Sequence, residues 1–122
     1  MMNTLLLLIT TLAAPLAFGV AAQQQSAPDS NPFEGNAAVI AEGHSLFNET
    51  CSHCHGPDAQ TPISERNLRK LKLRYGDQMT AVFHTTVEEG RPDMGMPTWG
   101  GVIDETTLWK IYTYLESIQV GE

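Results

Sequence analysis

Residues 51–56 read CSHCHG and contain both cysteines of the 122-residue chain, Cys51 and Cys54. A Cys-x-x-Cys pair serves one of three chemistries: a redox disulfide, half of a metal site, or the anchor of a covalently bound prosthetic group. The surrounding sequence has to choose among them.

Upstream, residues 5–22 (LLLLITTLAAPLAFGVAA) form an apolar run broken by Pro15 and closed by small residues. The run is too short and interrupted to span a bilayer comfortably. It reads as a secretory signal over residues 1–22, with Val20 and Ala22 before a cut ahead of Gln23. No Lys or Arg precedes Leu5, so an uncleaved anchor is the alternative. Residues 23–36 (QQQSAPDSNPFEGN) are polar and aperiodic, predicting a flexible leader. Export places the remainder, 37–122, in the periplasm, where thiol pairs are not kept reduced.

Past the leader, the apolar positions recur at helical steps. Val39, Ile40, Gly43, Leu46 and Phe47 mark one helix face that runs straight into CSHCHG. Pro57 and Pro62 predict a loop over 57–65, and Leu68 and Leu71 a short helix ended by Gly76. Asp77 is placed to cap a further helix with Met79, Val82 and Phe83 inside, stopped by Gly90 and Pro92. Asp104 caps a last helix, from about Glu105 to Gln119, whose stripe is Leu108, Ile111, Leu115 and Ile118. Nothing alternates long enough for a strand. The fold class expected is all-α, with three to five helices.

That pattern weakens two of the three chemistries. Structural zinc needs about four ligands, and one Cys pair with isolated His44 and His84 does not supply them. A thioredoxin-like disulfide needs its first Cys at a helix start after a strand, whereas Cys51 follows a helix. A haem explains more. Cys51 and Cys54, three apart on one turn, face the same edge of a porphyrin and can form thioethers with its vinyl groups. His55 follows at once, placing an imidazole over the iron. About forty residues on, Met96 in a Gly-Met-Pro loop offers a soft, uncharged sixth ligand that favours Fe(II). Gly95 is expected to let the backbone approach the ring, Pro97 to hold the chain extended, and Trp99 to cover a ring edge. Met94 and His84 are the rivals for the sixth position.

These residues together resemble the class I cytochrome c family. The resemblance spans Ala37 to Gln119 and rests on Gly43 and Phe47, Cys51-x-x-Cys54-His55, Gly95-Met96-Pro97, and Tyr114-Leu115. It implies one covalent haem c wrapped by helices, with His55 and Met96 as axial ligands. It also implies close crossing of the first and last helices at Gly43, with Phe47 against Tyr114. LRKLKLRYGDQM, TVEEGRPDMGMPTWGGVID and LWKIYTYLESIQ more narrowly resemble small periplasmic cytochromes c that accept electrons from quinoprotein alcohol dehydrogenases carrying pyrroloquinoline quinone (PQQ). The implied function is one-electron transfer from methanol or ethanol oxidation to the respiratory chain, with no enzyme activity. Alternatives are a donor to a terminal oxidase, a haem enzyme or sensor with an open sixth position, and a haem-free thiol oxidoreductase.

The net charge of −7 argues against nucleic acid or stable association with an anionic membrane surface. Yet five of the seven basic residues, Arg66, Arg69, Lys70, Lys72 and Arg74, fall within nine positions. They suit a solvated helix face, a propionate clamp through Arg69 or Arg74 with Tyr75 beside it, or a strip that steers an acidic redox partner. His44 and His53 read as surface residues.

Overall fold

The computed structural model describes residues 28–121. The expected signal peptide and residues 23–27 of the leader lie outside the described residues. Five α-helices follow in order: α1 (Ala37–Thr50), α2 (Ser52–His55), α3 (Leu71–Tyr75), α4 (Met79–Glu89) and α5 (Glu105–Ser117). Short 3-10 turns connect them. Among the described residues the β content is two isolated bridges, Arg91 with Met96 and Gly100 with Ile103, so the expected all-α class holds. No helix among the described residues is long and apolar enough to cross a membrane.

Helix α1 starts where the Asn36 side chain accepts hydrogen bonds from the backbone N–H groups of Ala38 and Val39. Its buried positions, Gly43 and Phe47, lie one turn apart and face α5. A Cβ on Gly43 would come within 1.9 Å of the Lys110 carbonyl oxygen and 3.0 Å of the Tyr114 Cβ. Only glycine permits so close a crossing. Phe47 is fully buried, with its ring 5.7 Å from that of Tyr114. Burial of a side chain of that size contributes about 1.5–3 kcal/mol.

Helix α5 begins at Asp104, whose carboxylate accepts from the Thr107 backbone N–H (2.9 Å) and hydroxyl (2.7 Å). These bonds favour the ionised form and lower the Asp104 pKa. Every residue from Leu108 to Leu115 except Lys110 is buried, so this helix is the centre of the molecule.

Two expectations are corrected. Asp77 does not cap α4: it lies in a 3-10 turn, Gly76–Gln78, and its carboxylate takes the Lys72 ammonium at 3.1 Å. That turn runs directly into the helix, with the Met79 N–H on the Gly76 carbonyl. The leader is also ordered from Asn31 onward. Asn31 is buried, its amide donating to the Thr113 hydroxyl (3.0 Å) and the Glu116 carboxylate (2.8 Å). Phe33 packs on the core beside it. Composition missed this because those partners stand 82 and 85 positions away.

Candidate functional site: an apolar cavity

At the end of α1 the Cys51 carbonyl accepts the Cys54 N–H (3.3 Å) and the His55 N–H (3.1 Å). That single turn brings Cys51, Cys54 and His55 to one wall of a cavity of about 680 Å³. Phe47, Leu71, Phe83, Leu108, Ile111 and Leu115 supply much of the remaining lining. The size lies within the range of ligand sites, and such apolar walls exclude water from whatever fills the space.

His55 is held from behind. Its Nδ1 lies 2.8 Å from the Arg66 carbonyl oxygen. A carbonyl only accepts, so Nδ1 carries the proton and Nε2 keeps its lone pair free for a metal. Burial is the main cause holding the His55 pKa below its ordinary value; the hydrogen bond to the Arg66 carbonyl opposes it, and the Arg66 charge adds to it. The Arg66 segment is pinned by Asn67, which donates to the Thr61 carbonyl (3.2 Å) and accepts the Arg69 N–H (3.0 Å).

Cys51 and Cys54 are not joined in a disulfide. Burial first, and the neighbouring Cys54 second, push the Cys51 thiol up to about 11. A redox nucleophile requires the opposite shift. The shift at Cys51 therefore weighs against disulfide exchange.

The segment between α4 and α5 forms the facing wall. Arg91 and Met96 exchange two backbone hydrogen bonds, of 2.9 and 3.0 Å, across a tight turn. Gly95 closes that turn at φ +82°. That left-handed backbone favours glycine at this position. Met96 and Trp99 are half-buried and line the cavity. Met94 lines it too, but at the rim, 59% exposed.

The other rival, His84, does not line the cavity. It is buried elsewhere, bonded to Glu105 (2.9 Å) and stacked on Trp109 with ring centroids 5.4 Å apart. Its pairing partner is 21 residues away, a distance that helical periodicity does not report. His44 is exposed, as expected, and bonds Asp58 at 2.6 Å.

The basic run divides. Arg66, Arg74 and Tyr75 border the cavity, with Arg74 also donating to the Ser64 carbonyl. Arg69 turns away, its Nε donating to the Asp58 carbonyl at 2.9 Å, and Lys70 is exposed. Arg66 is thus the guanidinium that sequence reasoning overlooked. Its signal was present in the sequence, eleven residues after His55, but spacing alone does not distinguish it from Arg69.

Residues 38–115 match a family described as cytochrome c oxidase, cbb3-type, subunit III. Among curated proteins, the chain is 31% identical over 98 residues to cytochrome c550 of Pseudomonas aeruginosa, covering 78% of this chain and 66% of that one. It is 28% identical over 95 residues to the cbb3-type cytochrome c oxidase subunit CcoP of an Azospirillum species, covering 71% of this chain and 31% of the other. The chain therefore spans about two thirds of the first relative and under a third of the second. Among solved structures, the fold is similar to cytochrome cL from the marine methylotroph Methylophaga aminisulfidivorans, with a TM-score of 0.62 and 22% identity over 87% of this chain and 74% of that one.

Proposed function

Since the chain belongs to the cytochrome c family, in the branch described as cbb3-type oxidase subunit III, we propose that it carries one covalently attached haem c and works in the periplasm as a one-electron carrier. The domain is a carrier and not an enzyme. The observation that carries the haem assignment is the convergence of Cys51, Cys54, His55 and Met96 on one apolar cavity, with His55 Nδ1 fixed by a carbonyl.

Haem bound there would supply the Fe(III)/Fe(II) couple. Cys51 and Cys54 would tether it through thioethers, and His55 Nε2 and the Met96 sulfur would be its iron ligands from the protein. The hydrocarbon walls and Trp99 would keep water from the metal, and Arg66 and Arg74 would meet the propionates as charge-assisted donors. A filled sixth position leaves no room for substrate, which is what a carrier requires.

The electron donor in this reading is a PQQ-dependent alcohol dehydrogenase acting on methanol or ethanol. Its support is the sequence resemblance over 68–79, 86–104 and 108–119, together with exposed Ile63 and Met94, which line the same cavity as Arg66 and Arg74. Exposed apolar side chains and guanidinium groups on one cavity suit brief docking on an acidic partner. A second reading, donation to a terminal oxidase, is favoured by the family match and the CcoP relative. One carrier can serve both.

Mixing the oxidised, periplasmically matured protein with a PQQ alcohol dehydrogenase and its alcohol tests the donor. Reduced haem bands should grow faster than in an enzyme-free control. A spectrum that stays oxidised there, yet responds to dithionite, retains the cytochrome and removes the dehydrogenase.

A further inference from the structure

Among the described residues, one cluster of metal-capable side chains lies outside the cavity. His84 and Glu88 lie four residues apart on α4, hence on one face. Glu105 is the first residue of α5. One donor atom from each of the three lies within 4.8 Å of the others. We propose that His84, Glu88 and Glu105 bind a divalent transition-metal cation of the zinc class, bridging α4 to α5.

The donor set specifies the class. One imidazole with two carboxylates matches borderline cations such as Zn²⁺, whereas Ca²⁺ and Mg²⁺ favour all-oxygen sites. Zinc donors stand ~2.1 Å from the ion, hence ~3.4 Å apart in a tetrahedron, so closure from the present spacing needs about an ångström of side-chain movement. Water would complete the coordination.

The surroundings hold two of the three ligands in place. His84 is buried, 8% exposed, with its ring packed on Trp109. The Trp109 indole N–H donates to Glu105 Oε1 at 2.7 Å, an outer partner that orients the carboxylate as second-layer groups do around metal ligands. Glu88 is the exposed third arm, on a backbone anchored by the Gly100 N–H at 3.0 Å. It joins neither the His84–Glu105 pair nor the core, so a purely structural pair has no use for its carboxylate.

The position has a consequence for the redox site. Helix α4 ends at Glu89 and α5 begins at Glu105. A cation held by Glu88 and Glu105 therefore fastens both ends of the segment that carries Met96.

Calorimetric titration of untagged, chelator-treated haem-loaded protein with ZnCl₂ tests the site, with Glu88→Gln as the principal variant because that side chain is exposed. The expected result is saturable uptake of one Zn²⁺ per chain, weakened at least about tenfold in Glu88→Gln and unchanged in Glu49→Gln on α1. Zinc should also raise the thermal midpoint of the wild type and not of Glu88→Gln. Absence of saturable uptake by the wild type, or equal uptake and equal thermal shift in Glu88→Gln, overturns the site. Equal binding of Mg²⁺ overturns its assignment to the zinc class. None of these readouts depends on electron transfer, so failure here leaves the carrier function standing.

Discussion

The Arg66 carbonyl oxygen lies 2.8 Å from Nδ1 of His55, and this one contact decides which nitrogen of the imidazole faces the cavity. A hydrogen bond from Nδ1 makes the ring a stronger donor through Nε2, which stabilises Fe(III) more than Fe(II). Loosening it should raise the reduction potential. Asn67→Ala removes both bonds that pin this segment. Complete loss of a contact worth about 0.5–1.5 kcal/mol corresponds to a rise of roughly 20–60 mV for one electron, and partial loss to a smaller rise. Spectroelectrochemical titration reads it directly, and an unchanged or lowered potential would contradict this role for Arg66.

The helix crossing makes a stability prediction. Gly43→Ala drives a methyl group into the Lys110 carbonyl at 1.9 Å, and backbone on both sides must move. The expected loss is about 2–3 kcal/mol, at the upper end for overpacking, and should lower the thermal midpoint by ~10 °C or more in a domain this size. Thermal unfolding of the haem-loaded variant followed by circular dichroism measures the shift.

The two methionines of the loop should behave differently. Met96 is half-buried and its backbone is paired both ways with Arg91, while Met94 is mostly exposed. Met96→Ala is expected to abolish the weak far-red band of methionine-ligated ferric haem, lower the potential by roughly 0.1 V or more, and open the ferrous form to carbon monoxide. Met94→Ala should leave all three near wild type. The reverse outcome would reassign the sixth ligand.

How much of this was readable in the sequence depends on the range of the interaction. The stripe through Gly43 and Phe47, the Asp104 cap and the CSHCHG turn are local, and the structure reproduces them. Asn31 with Thr113, and His84 with Glu105, pair across long stretches of chain, whereas the sequence placed Asn31 in a flexible leader and left His84 as a rival for the sixth position. The basic run reads as one block, yet it divides because neighbours on a tight turn point in different directions. Arg66 and Arg74 reach the cavity while Arg69 is spent on the Asp58 carbonyl.

Acid sensitivity should include a contribution from Asp58. Its carboxylate is held below the usual range by the hydrogen bond with His44 first, then by Asn48, with smaller help from nearby positive charge. A depressed folded-state pKa stabilises the protein above the unfolded value of about 3.9, and that contribution is lost as pH falls through the folded value. Thermal midpoints of wild type and Asp58→Asn should therefore differ at pH 6 and converge below about pH 4. A constant offset across that range would assign the effect to something other than ionisation.

The most direct test of the central claim is the intact mass of the periplasmically matured protein after full denaturation. Thioether bonds survive unfolding, so the mass should exceed that of the polypeptide by one haem, and the two thiols should no longer titrate. Cys51→Ser with Cys54→Ser should lose that added mass. A wild-type chain at polypeptide mass, with two titratable cysteines, would contradict the cytochrome assignment and return the CSHCHG turn to thiol chemistry.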